Sequence, residues 1–391
     1  MNDKPADRFD WTLAFLLLLF CFISLFAIAS AQTTGQYTVN YVLEQLKWYV
    51  VGIIIIALTM YLEPEQYKKI AWFIYGGGVF LLALLIILPD HMELVEKRNG
   101  AKSWFHLPKV GSIQPAEFMK TFFIISMARL ITKHHEKFSM KTLKTDFYLL
   151  AKIIVVLFVP LLFIMLQTDL GTSLVFIAIT VALIIVSGIS WRIILPLFTG
   201  ISAFGATVLW AVLYQQDFLQ TKLGFKLHYF ERIYSWIDPY SYSSNEGMHL
   251  ITSLNAIGSG ELFGKGYKGR EVYVPESHTD FIFTTIAEEW GFIGSTFVIC
   301  LYFFLIYYLT IITLELKDPF STYICAGIIA MITFHVFENI GMTIQLLPIT
   351  GIPLPFISYG GSSLMGNMLA IGLVFSLKFH HRSYMFSSDE E

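Results

Sequence analysis

Runs of about 20 mostly apolar residues recur from one end of this chain to the other. They restrict its fold more than any other feature. Lipid offers no water to backbone N–H and C=O groups, so such a run crosses a membrane only as a helix or within a closed barrel. Ten runs lie at about 11–31, 43–61, 70–88, 115–132, 148–166, 170–188, 192–213, 281–313, 319–343 and 358–379. At this length and frequency they predict an all-α polytopic membrane protein with about ten transmembrane helices. Residues 1–391 read as a single membrane domain, and 214–280 is a long loop within it, before the eighth helix.

Composition agrees. Charged residues are 14% of the 391 and apolar residues 55%, with a net charge of -3; soluble domains carry roughly 25% charged residues. A disordered chain, a disulfide-stapled secreted scaffold and a basic nucleic-acid binder are excluded on these grounds. Cys21, Cys300 and Cys325 all fall inside apolar runs and form no CxxC pair, so they read as small buried hydrophobes. Ala29-Ser30-Ala31 resembles a signal-peptidase site, but the run before it is longer than a 7–15-residue signal core and reads as an uncleaved first span.

Ten spans put both termini on one side, and the Lys/Arg bias assigns that side. One set of short segments holds Lys4, Arg8, Lys68, Lys69, Arg129, Lys133, Lys137, Lys141, Lys144, Arg192, Lys317, Lys378 and Arg382. The opposite set holds Lys97, Arg98, Lys102 and Lys109, with Lys47 near a span end. Both termini are therefore expected in the cytoplasm, and the 89–114 and 214–280 loops outside.

Several polar groups sit where lipid penalises them. Glu117 and Lys120, three residues apart, share a helix face. They read either as a polar cavity for a head group or as a pair that holds helices together. Asp280 opens the eighth span just after His278 and reads either as a helix cap or as a functional carboxylate. Glu288 and Glu289 follow inside that span, where at least one must face protein or water. Lys265, Lys268 and Arg270 form a basic cluster suited to a diphosphate, or simply a solvated face. Asn99-Gly100 signals a turn ahead of Trp104, an interfacial aromatic, and Tyr229 to Ile233 is expected to pack over the bundle mouth. Asn339, Gly341 and the Pro353, Pro355, Gly360, Gly361 series predict irregular backbone, tolerated only where protein or water satisfies it.

Eight motifs run in order through the chain: NGAKSWF (99–105), GSIQPAEFMK (111–120), LQTDLGT (166–172), AIGSGELFGKG (256–266), PESHTDFIF (275–283), AEEWG (287–291), ENIGM (338–342) and GIPLPFISYGGSS (351–363). Together they resemble the SEDS family, the shape, elongation, division and sporulation proteins of the bacterial cell wall. GIPLPFISYGG is most similar to the rod-shape elongation branch. Ala116, Thr168 and Thr252 stand where the family more often has Ser, Pro and Gln, and no charged family residue is lost.

The resemblance implies a peptidoglycan glycosyltransferase in the bacterial cytoplasmic membrane, with an extracytoplasmic active site. It would polymerise lipid II, a disaccharide-pentapeptide on undecaprenyl diphosphate, into β-1,4 glycan strands during cell elongation. Asp280 matches the family's essential aspartate and is implied as the catalytic base. Glu117 and Lys120 match the cavity pair; Trp104, Lys265, Lys268, Arg270 and His278 are implied in substrate binding. Arg232, Glu288, Glu289 and Asn339 are structural or coupling candidates. No organic cofactor is implied; a divalent cation, magnesium or manganese, stays open. Cross-linking falls to another protein, so a class B penicillin-binding protein transpeptidase and other elongation-complex membrane proteins are the expected partners, with no nucleic acid. The alternatives are a lipid II flippase, a non-catalytic scaffold for the penicillin-binding protein, and a division or sporulation paralogue.

Overall fold

A computed structural model describes residues 8–34, 39–89, 92, 94–98, 101–107, 111–215, 231–242 and 246–387. Lys4, Asn99, Gly100, Lys109, Tyr229 and Phe230 lie outside the described residues, as do the side chains of Lys97, Arg98, Glu231 and Arg382. The helices are α1 (Trp11–Ala31), α2 (Tyr41–Tyr61), α3 (Pro64–Ile87), α4 (Pro115–Lys137), α5 (Leu143–Leu166), α6 (Leu170–Val186), α7 (Trp191–Tyr214), α8 (Glu231–Ile237), α9 (Glu246–Ser259), α10 (Ile282–Glu315), α11 (Pro319–Thr343) and α12 (Gly361–Ser387).

The chain is a multi-pass, essentially helical membrane protein. Eight of these helices are long and apolar enough to cross a membrane by length and composition. The two other expected spans fall short for different reasons. Helix α6 has 17 residues, while α4 carries Glu117, Lys120 and Arg129. Helix α4 is nevertheless packed among α3, α5, α11 and α12, so its partners are protein groups and its polar residues need not meet lipid. Helix α3 starts earlier than its apolar run, because Glu63 and Gln66 form a reciprocal capping box and Pro64 opens the first turn.

The α3–α4 connection differs from the expected loop. It holds strands: β1 (Val95–Arg98), β2 (Ala101–Leu107) and β3 (Gly111–Ile113) form an antiparallel sheet in that order. This segment lacks a helix-length apolar stripe and satisfies its backbone by pairing with itself. The Lys102 ammonium reaches back from β2 to the Leu88 carbonyl at the end of α3, where a helix's carbonyl dipoles favour a cation.

Helix α1 is built into the bundle: Ser30 and Ala31 are buried, and the Ser30 hydroxyl donates to the Glu289 carboxylate of α10. At its other end Asp10 caps α1 through the Leu13 N–H, 2.9 Å. Asp10 also takes the Lys378 ammonium at 2.6 Å and the Tyr308 hydroxyl at 2.8 Å, tying α1, α10 and α12 together. Helix α7 stands apart, with only Ile193, Ile194 and Val212 buried along it.

Helix α10 is broken at Gly291, where φ is 61°. The residues after α9 fill the break. Lys265 and Gly266 N–H groups donate to the Glu288 and Glu289 carbonyls, both at 3.0 Å. In return Phe292 and Ile293 N–H groups donate to Glu261 and Leu262 carbonyls at 2.9 and 3.2 Å. This exchange satisfies the groups that the kink releases. It requires Gly264, whose φ is +76° and whose missing Cβ would collide with the Glu289 carbonyl. Gly264→Ala is expected to lower stability by on the order of 1–3 kcal/mol, seen as an earlier thermal transition of the detergent-solubilised protein; an unchanged transition would contradict this packing.

Candidate active site

Asp280 lies in a turn immediately before α10. Thr279 and Phe281 N–H groups donate to the Glu276 carbonyl at 3.1 and 3.2 Å. The N-cap of α10 is Phe281, and no side chain caps the helix, so the capping alternative for Asp280 does not hold. The fully buried Asn339 of α11 fixes its backbone instead. Its amide donates to the Asp280 carbonyl at 2.7 Å and to the Ile352 carbonyl at 2.8 Å.

The irregular 351–360 segment forms the wall beside Asp280. Gly351 has φ +73°, and a Cβ there would stand 3.3 Å from Asp280 Oδ2. The Ser358 hydroxyl donates to the Thr279 carbonyl at 2.7 Å, and the Tyr359 N–H to the His278 carbonyl at 2.9 Å. Buried side chains of the spanning helices catch the segment's own carbonyls. Ser24 reaches Ile357 at 2.7 Å and Gln45 reaches Ser358 at 3.1 Å. Tyr49 and Tyr302 donate to Phe356 and Pro355.

Burial pushes the Asp280 carboxyl up to about 7, and the neighbouring Glu276 and Asp169 carboxylates add to the rise. Asp169 precedes α6 and is held firmly. Its carboxylate accepts from Gln114 Nε2 at 2.7 Å, from Thr172 Oγ1 at 2.9 Å and from the Thr172 N–H at 3.0 Å. Gln114 donates its own N–H to Ser362 at the start of α12, 2.9 Å. The sequence alone assigns no role to Gln114, Asp169 or Gly351, although each lies in one of the eight motifs. Their signal is spatial: Gln114 meets Asp169 across two motifs, and Gly351 of a third stands beside the Asp280 carboxylate.

His278 is buried and stacked on Tyr41, ring centroids 4.6 Å apart, with Tyr359 on the same cluster. Burial lowers its pKa against the opposing pull of Glu276, so it presents a neutral ring.

Lys265 and Arg270 are turned toward acidic partners. Lys265 Nζ lies 2.5 Å from Glu271 and 3.8 Å from Glu288; Arg270 Nε, on a buried side chain, lies 3.7 Å from Glu288. Glu288 also accepts the Glu271 and Val272 N–H groups at 2.8 and 3.0 Å. Together with Glu289, it anchors the loop ahead of Asp280 to the broken α10. Lys268 is exposed and stands 5.3 Å over the Tyr267 ring. Trp104 is half-buried on β2, opposite Glu96. Arg232 is exposed on α8; that helix is pinned to the end of α11 by reciprocal bonds of Trp236 and Gln345, 3.0 and 2.9 Å.

Glu117 and Lys120 form a buried ion pair at 2.8 Å, and His335 of α11 faces Lys120 Nζ at 3.2 Å. Among the described residues, no group of three or more His, Cys, Asp or Glu side chains is arranged to hold a metal ion.

Residues 7–383 match the family described as Cell cycle protein, which groups FtsW, RodA and SpoVE. The chain belongs to this family. It is 30% identical to the peptidoglycan glycosyltransferase MrdB of Escherichia coli (strain K12), covering 98% of both chains. It is 32% identical to the probable peptidoglycan glycosyltransferase FtsW of Bacillus subtilis (strain 168), covering 96% of this chain and 91% of that one. A solved chain from a peptidoglycan synthase complex that coordinates polymerization and crosslinking superposes with TM-score 0.77 at 25% identity, over 95% and 98% of the two chains. These matches agree with the SEDS resemblance of the motifs and place the chain among membrane proteins of cell wall synthesis.

The Glu117–Lys120 pair gives a direct test of its energetic role. Glu117→Ala strands a buried ammonium and is expected to cost about 3–5 kcal/mol, whereas Glu117→Gln with Lys120→Met restores most of that loss. Thermal unfolding of the purified variants reads both; equal losses in single and double variants would contradict the coupling.

Proposed function

We propose that this chain is a peptidoglycan glycan polymerase acting on lipid II, with Asp280 as its general base. The observation that carries the reading is Asp280: clamped through its backbone by Asn339, walled by Gly351, with its carboxyl pushed by burial up to about 7. A base of that strength suits removal of a proton from a sugar hydroxyl at neutral pH. The family relationship supports the substrate class.

The GlcNAc 4-hydroxyl of the acceptor would lie about 2.6–3.2 Å from the carboxylate. As its oxygen bonds to MurNAc C1 of the donor, its proton passes to Asp280. The C1–O bond to the α-linked diphosphate breaks, and undecaprenyl diphosphate leaves with the electron pair. Attack from the opposite face forms the β-1,4 linkage with inversion. A diphosphate needs no protein proton to depart, so a second catalytic carboxylic acid is unnecessary, unlike in many glycoside hydrolases.

Lys268, exposed on its loop, is available to compensate diphosphate charge. Lys265 and Arg270 would have to share themselves with Glu271 and Glu288. A magnesium or manganese ion would take diphosphate oxygens as most of its ligands, since the described residues supply no complete cage. Helix α6, apolar but only 17 residues long, and the more polar α4 complete a ten-span topology, with both termini cytoplasmic and Asp280 on the outer side. Trp104 then lies at the outer mouth, near lipid and sugar. The solved relative's complex supports a class B penicillin-binding protein as partner, and the 351–361 sequence supports the elongation role.

Polymerisation of lipid II by the purified protein with its cognate penicillin-binding protein, transpeptidase blocked, tests the reading. Wild type is expected to make glycan, with rates falling as pH drops below about 7, because protonation removes the base. Asp280→Asn is expected to lose activity by about 100-fold or more at matched complex yield. Equal polymer from both proteins would overturn the assignment.

A further inference from the structure

The loop that fills the break in α10 leaves apolar side chains uncovered. Leu262, Phe263 and Tyr267 are exposed, Phe263 to 76%. This exposure is built into the backbone. The loop exchanges hydrogen bonds with Glu288, Glu289, Phe292 and Ile293. A Cβ on Gly260 or Gly264 would strike the Ala287 or Glu289 carbonyl, so the loop lies directly against α10. Pressed on that helix, its backbone cannot turn Leu262 and Phe263 inward.

The uncovered surface continues onto two spans. Ile282 to Glu289 are buried by protein, whereas Trp290, Phe292, Ile293 and Phe297 are exposed. The lipid-facing part of α10 therefore begins at the Gly291 break, where the loop attaches. The 34 residues of α10 exceed the about 20 that a span needs, so the part before the break is surplus to crossing. On its other side the loop reaches α1. The Tyr267 ring meets the Phe26 ring edge-on, centroids 6.0 Å apart. Phe26 is exposed and precedes Ala31, the end of α1, by more than one helical turn. Tyr267 thus stands against the flank of a span, short of its end.

We infer that the 261–268 loop is a membrane-interface anchor: Leu262, Phe263 and Tyr267 enter the boundary between head groups and acyl chains of the leaflet on the Asp280 side. Exposed apolar patches of this kind mark contact with a membrane or a protein, and continuity with the lipid-facing sides of α1 and α10 selects the membrane. The Lys265 and Gly266 N–H groups and the Glu261 and Leu262 carbonyls are already bonded to α10, which lowers the cost of taking irregular backbone into that zone. Trp and Tyr side chains favour it. Lys268 is exposed, 5.3 Å over the Tyr267 ring, and its long stem lets the ammonium extend to the head groups. Glu261, at the other end of the loop, is exposed as well. With one charge of each sign, the anchor depends on apolar insertion and not on anionic lipid. Anchoring fixes the depth of the loop that leads into Asp280 and holds Lys268 at the level of lipid phosphates.

The test uses the full chain, purified and reconstituted in phosphatidylcholine vesicles. A nitroxide is attached to Phe263→Cys with Cys21, Cys300 and Cys325 changed to Ala. Glu276→Cys, at an exposed position in the turn before Asp280, is labelled likewise as the reference. Molecular oxygen concentrates among acyl chains, while a neutral nickel chelate stays in water. The oxygen-to-nickel collision ratio is expected to be several-fold higher at 263 than at 276, and unchanged when phosphatidylglycerol is added. Equal ratios overturn the anchor; a ratio that rises only with phosphatidylglycerol overturns its apolar basis. If the cysteine-free chain does not fold, p-benzoylphenylalanine at position 263 of the otherwise unaltered chain decides. Irradiation is expected to yield a phosphatidylcholine adduct by mass spectrometry, with or without the penicillin-binding protein in the vesicles. Absence of the adduct overturns the inference. Its replacement by a cross-link to the penicillin-binding protein makes the patch a protein interface and overturns it too.

Discussion

The backbone from Ile352 to Ser358 runs through the helix bundle outside any regular element, and its carbonyls must find donors there. The donors come from four spanning helices: Ser24 of α1, Gln45 and Tyr49 of α2, Tyr302 of α10 and Asn339 of α11. An unmet carbonyl in such surroundings costs several kcal/mol, so these bonds impose one arrangement of the segment. Everything proposed for the site depends on that arrangement. Gly351 faces the Asp280 carboxylate because Ile352 is held by Asn339, and Asp280 is held by the same amide.

The break in α10 solves the same problem in a second place. A helix interrupted at Gly291 exposes polar groups on both sides of the interruption, and the 261–266 loop returns donors and acceptors in equal measure. Glu288 then uses its side chain to seize the Glu271 and Val272 N–H groups. The loop that leads into Asp280 is thus docked at its start on the helix that follows Asp280. The Asp280 turn is thus supported from both directions along the chain.

Much of this architecture is legible in the amino-acid sequence. The spans at 11–31 and 319–343 are read to the residue, because Asp10 and Asp318 cap sharp starts. The start of α3 is not, because Glu63 to Lys69 is a polar turn that only its capping bonds make helical. The strands between α3 and α4 leave little sequence signal because they are short and broken by turns. Prolines and glycines at 353–361 announce irregular backbone, and Asn339 stands out as a polar residue inside a span. Lys265 and Arg270 look like solvent-facing cations in sequence, since nothing local reveals that Glu288 meets them across a broken helix. Asp169 and Gln114 carry no linear sign of their pairing, which arises only when the starts of α4 and α6 converge.

The central claim is that this packing makes Asp280 a carboxylate poised near neutrality. Infrared difference spectra of the purified protein, wild type minus Asp280→Asn, isolate the carbonyl band of the protonated acid as pH is raised. The account predicts that this band disappears with a midpoint near 7. A midpoint near about 4, the value of an ordinary exposed aspartate, would contradict it.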